Sequence, residues 1–74
     1  MNKTLFDKLL HDGTFLSVFY QARVQSEKYE IPLESSFLSF GMNKYKGWFF
    51  HLCDNWGLTN LNQIKEFDKK VRLI

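Results

Sequence analysis

The sequence predicts an all-α fold, a compact bundle of four to five short helices around an aromatic core. Three observations lead there. Apolar residues recur at helical spacing in most segments. Capping residues and glycines divide the 74 residues into helix-length pieces. Eight Phe, three Tyr and two Trp make up 18% of the chain, and each ring can bury ~150–250 Å². One alternative stays open, an α+β fold with a β-hairpin at about residues 14–33.

The length fits a single domain over residues 1–74. A chain this short buries roughly 60% of the surface its unfolded form exposes, so its stability needs help. Cys53 is the only cysteine, which excludes an internal disulfide and fits a reducing compartment such as the cytoplasm. The aromatics are the expected substitute, with some ring area left over for a partner.

The first helix is expected to begin at Thr4, with Asp7 in the capping-box position. Leu5, Phe6, Leu9 and Leu10 form its apolar stripe, and Gly13 is placed to stop it. The stretch from Thr14 to Leu33 reads two ways. As a strand, Leu16, Val18, Tyr20, Ala22 and Val24 alternate, with Tyr29, Ile31 and Leu33 as the return arm. As a helix capped by Thr14, Phe15, Leu16, Val18, Phe19, Tyr20 and Ala22 fill one wide arc. Good helix formers in YQARVQSEK favour the helix. So does the lack of Gly, Asn or Pro in a turn at 25–28.

Pro32 suits the first turn of a third helix carrying Phe37, Leu38 and Phe40, with Gly41 as its stop. Asn43 then caps a fourth helix over about 44–56. Asn60 and Gln63 open a fifth, where Leu61, Ile64, Phe67, Val71 and Ile74 recur at helical spacing. On its polar side Glu66 and Lys70 form an i,i+4 pair.

In the fourth helix Tyr45, Trp48, Phe49, Leu52, Cys53 and Trp56 fall on one continuous face, which is expected to be core. Phe50 projects off that face beside Gly47. It is the first candidate for a docking spot on another protein. Tyr29, in an expected connection, and Lys44 and Lys46 beside Gly47 complete the partner-binding set.

Catalytic and metal chemistry find little support. His51 and Cys53, two apart on a helix, point away from one another, and zinc needs about four ligands at a recognisable spacing. No phosphate loop or nucleophile elbow is present. Neither catalytic residue, metal nor cofactor is implied, and the chain reads as non-enzymatic. No apolar run is long enough to cross a membrane, and the N-terminus lacks a signal-peptide pattern. Beginning at Met1, the chain is expected to be a complete small gene product.

Residues 32–40 and 44–56, joined by Gly41-Met42-Asn43, loosely resemble small repressor-type helix-turn-helix domains over about twenty residues. That resemblance implies DNA binding through Asn43, Lys44 and Lys46. Against it, Phe37 stands where helices of that motif cross closely, and Gly47 stands where a branched apolar residue packs. The net charge is only +2. A second basic cluster, Lys65, Lys69, Lys70 and Arg72, is diluted by Glu66 and Asp68.

The leading expectation is therefore a small protein-binding module, acting as a stoichiometric inhibitor or adaptor of a larger protein or complex. Its size and aromatic excess resemble, by analogy alone, those of small inhibitors carried by phages and other mobile elements. DNA binding is the runner-up. A homodimer through the Gly47–Phe50 edge is a further arrangement that a small aromatic-rich domain favours.

Overall fold

The computed structural model describes all 74 residues. The chain forms five α-helices and no strand: α1 (Lys3–Leu10), α2 (Gly13–Tyr29), α3 (Leu33–Tyr45), α4 (Phe49–Trp56) and α5 (Asn62–Arg72), with a 3-10 turn, Lys46–Trp48, between α3 and α4. The all-α expectation holds, and residues 14–29 are helical rather than half of a hairpin.

Local chemistry sets the boundaries, often one or two residues from where they were expected. Asn2, not Thr4, caps α1, its side-chain oxygen accepting from the Leu5 N–H at 2.8 Å. Asp12 caps α2 in the same way through the Phe15 N–H at 2.9 Å. That makes Gly13 the first residue of α2 rather than the stop of α1, and leaves Thr14 inside the helix. An acidic side chain at this position also opposes the positive end of α2. Pro32 stands just ahead of α3, with φ −57°. α4 ends at Gly57, whose φ of 82° is the left-handed geometry glycine tolerates best; the Leu58 N–H reaches back to the Cys53 carbonyl at 3.0 Å. Ahead of α5, the Gln63 Oε1 accepts from the Thr59 and Asn60 N–H groups at 2.7 and 3.2 Å. The expected Asn60–Gln63 start is thus made by the glutamine half of the motif.

The largest departure lies between α3 and α4. Gly41 does not stop a helix. It sits inside α3, and the Phe49 ring lies directly against it; a Cβ at Gly41 would come closer than 3.0 Å to three carbons of that ring. In one continuous helix these residues would stand ~12 Å apart along the axis. Contact therefore requires the chain to turn, and it turns at Lys46, which takes φ 51° and ψ −127°. The helix expected over 44–56 is thereby broken. Tyr45 closes α3 and is half-buried, Phe49 and Trp56 are buried, and Trp48 is 73% exposed. The expectation that Trp48 is core is wrong because the turn rotates it off the shared face. The helix pair 32–40 and 44–56 is not formed either, since Gly41, Met42 and Asn43 continue α3.

The core is one cluster: Leu9, Phe15, Val18, Phe19, Ala22, Phe37, Phe49, Trp56, Ile64 and Phe67. Phe15 is its hub. Its ring meets Phe37, Trp56 and Phe67 at centroid distances of 5.8, 5.3 and 4.9 Å, the last two edge-on, a geometry that ring quadrupoles favour. α2 and α3 cross closely where Ala22 meets Ser36, and the buried Ser36 hydroxyl donates to the Ala22 carbonyl at 2.7 Å. Ile74, expected on the apolar face of α5, lies beyond its end and is exposed.

Glu66 and Lys70 are not each other's partners. Glu66 takes the Met1 ammonium, and Lys70 donates to the Met1 carbonyl at 2.9 Å with its ammonium over the Phe6 ring. Between these two on α5, Asp68 holds Arg23 at 3.3 Å and Arg72 at 2.9 Å, and Arg72 reaches Glu27 at 3.2 Å. These carboxylates raise the Arg72 pKa, the Asp68 hydrogen bond most. Of the second basic cluster, Lys65 and Lys69 stay exposed, while Lys70 and Arg72 are engaged within the fold.

Candidate protein-docking edge

The turn at Lys46–Trp48 and the start of α4 form an exposed edge that carries two large rings, Trp48 and Phe50. Gly47 is exposed and nothing lies within 4 Å of where its Cβ would be, so it gives open access instead of close helix packing. Trp48 stands out from the turn with its ring 5.8 Å from that of His51. Phe50 is 58% exposed and rests against Phe49, centroid to centroid 6.2 Å. The same α4 backbone that sends Phe49 into the core sends Phe50 outward, about 100° around the helix.

Phe50 is one wall of an apolar groove of roughly 370 Å³. Leu38 of α3, Cys53 of α4 and Leu58 and Leu61 of the α4–α5 connection line it, with Asp54 as its one charged residue. That volume lies at the low end of ligand pockets, ~300–1,000 Å³. The groove exists because α4 turns back toward α3 and the 58–61 segment crosses beside it.

The predicted partner-binding residues are only partly brought together. Phe50, Gly47 and Lys46 belong to one edge. Lys44 is one turn back on α3, its ammonium 3.2 Å from the Ser17 hydroxyl and over the rings of Phe40 and Tyr45. Tyr29 is 61% exposed with the Lys28 ammonium over its ring, but it ends α2 at the far end of α3, ~20 Å of helix away. Asn43 is exposed within α3 and opens no helix. Sequence reasoning missed Trp48 and the groove walls Leu38, Leu58 and Leu61. The only available signal for Trp48 was a glycine inside an otherwise helical stretch.

Nothing at this edge is arranged for bond chemistry. The half-buried Cys53 thiol has its pKa raised, by burial first and by the Asp54 carboxylate second. It is therefore a poor nucleophile at neutral pH. No three His, Cys, Asp or Glu side chains converge as a metal site. What the edge can do is bury apolar surface. No helix is long and apolar enough to cross a membrane.

Compared with known proteins, the chain matches no family model, no curated protein and no solved structure.

Proposed function

We propose that this is a non-enzymatic protein-binding module that acts stoichiometrically, as an inhibitor or adaptor of a larger protein or complex. The observation that carries the reading is the exposed Phe50 ring forming one wall of the Leu38–Cys53–Leu61 groove, with a second exposed ring, Trp48, two residues before it in the chain. Aromatic anchors beside an apolar recess with a polar rim are how interface hot spots are built. Lys44 and Lys46 would add an electrostatic pull on an acidic partner, felt mainly in the association rate. The phage-type inhibitor analogy belongs to this same reading.

The test is a pull-down from lysate with the intact protein, its Phe50→Ala and Trp48→Ala variants, and Tyr29→Ala as a distant control. A partner held by the wild type and weakened about thirtyfold or more by Phe50→Ala is the expected result. Unchanged thermal melts for the variants would show that the fold is intact. Retention of every partner by Phe50→Ala and Trp48→Ala would overturn the docking edge. A DNA mobility shift across a salt series, lost in Lys44→Ala and Lys46→Ala, would instead favour nucleic acid.

A further inference from the structure

We propose that the Lys46–Trp48 turn is a hinge through which two copies of this chain exchange their α4–α5 segments, giving a domain-swapped dimer. This rests on the turn and the sequence pattern, and is independent of the docking-edge reading.

Three observations converge on it. First, the turn is strained. Lys46 holds φ 51° and ψ −127°, a conformation suited to glycine, while Gly47 one residue later keeps φ outside the left-handed range. Second, the turn contributes nothing to the core. Lys46, Gly47 and Trp48 are all exposed, so the side chains of the turn itself lose no buried contact when it straightens. Third, the sequence across the break suits one unbroken helix. Leu38, Gly41, Tyr45, Trp48 and Leu52 follow each other at alternating spacings of three and four, the seam of two helices packed along their length. In the closed monomer that seam is cut and Trp48 is left in water.

If Lys46 relaxes to helical angles, α3, the turn and α4 become a single helix over 33–56. α4 and α5 then leave their own α1–α3 and dock on those of the second copy. Every core contact between the exchanged segment and α1–α3 is kept but made between chains: Phe49 against Gly41, Trp56 and Phe67 against Phe15. The exchange releases the strain at both hinges and covers both Trp48 rings. Strained short hinges invite this rearrangement.

The experiment is to unfold the intact protein in guanidinium and refold it at millimolar and at micromolar chain concentration. Size exclusion with light scattering then reads the products. At high concentration a dimer is expected that persists after dilution and separates only slowly, with reduced acrylamide quenching of tryptophan, because Trp56 is already buried and Trp48 becomes so. Lys46→Gly removes the strain from the monomer and should weaken the dimer about a hundredfold. Lys46→Val, whose branched side chain resists positive φ, should increase the dimer; if it fails to fold, wild type against Lys46→Gly decides. Monomer alone at both concentrations for the wild type overturns the proposal. So does a dimer that Lys46→Gly leaves unchanged; loss of that dimer in Phe50→Ala would assign it to side-by-side pairing.

Discussion

The Phe49 ring rests on the backbone of α3 at Gly41, with no room for even one carbon between them. Gly41 is the hollow and Phe49 the knob, and the strained turn exists to bring the two together. Ala normally stabilises a helix interior by ~1 kcal/mol over Gly. Here the sign reverses. The ring cannot retreat, because Phe37 and Trp56 stand 5.5 and 6.5 Å from its centre and it is fully buried. Gly41→Ala is expected to cost ~1–3 kcal/mol or more in urea denaturation. Pairing it with Phe49→Leu should recover part of the loss.

The two tryptophans should separate cleanly. Trp56→Ala empties the core beside Phe15 and is expected to cost ~3–5 kcal/mol, enough to unfold a marginal domain. Trp48→Ala removes a solvent-exposed ring and should stay within about 0.5 kcal/mol. Chemical denaturation of the two variants gives the comparison directly. Equal losses would mean that Trp48 is packed after all.

Acid should weaken the clamp on Met1. The Glu66 pKa is lowered from its ordinary 4.5, chiefly by its hydrogen bond with the N-terminal ammonium and then by the charge of that ammonium. A carboxyl depressed in the folded state adds stability above its unfolded pKa and loses it as pH falls through the folded value. Glu66→Gln is therefore expected to be less stable than wild type near neutrality. The gap should close as pH drops below the ordinary carboxylate range, read as melting temperature against pH. A gap that persists in strong acid would point to packing instead of charge.

Cys53 should react slowly. Burial and Asp54 both disfavour its thiolate, so iodoacetamide at neutral pH is expected to label the folded protein more slowly than the unfolded one. Asp54→Asn should speed labelling modestly, as it removes only the smaller of the two causes. Mass spectrometry of timed samples measures both.

The fold class was legible because period and caps agree in most segments. Phe15, Val18, Phe19 and Ala22 turn inward together on α2, and Ile64 and Phe67 do so on α5. The boundaries slipped where two capping types stand close together: Asn2 and Thr4, or Asp12 and Thr14, and the chain uses the first of each pair, which is also the stronger cap. The α3–α4 break was hidden for a different reason. Lysine carries no local preference for positive φ, and the stripe from Tyr45 to Trp56 is consistent with one helix. Gly41 misled because a glycine can end a helix or admit a ring, and only a residue brought in by tertiary folding tells the two apart. For the same reason Phe50 could be singled out as an off-face ring, whereas Trp48 and the walls of the groove depend on a turn that its residue types do not announce.

The Ser36–Ala22 contact also bears on how α2 and α3 find their alignment. Phenylalanine rings are alike in shape and carry no hydrogen bond, so ring packing alone discriminates weakly between alignments. A dry hydroxyl is not forgiving: shifted out of place it loses its only acceptor, a penalty of ~1–3 kcal/mol. One serine thus works as a locating pin for a greasy joint, giving a core of near-identical rings a single alignment.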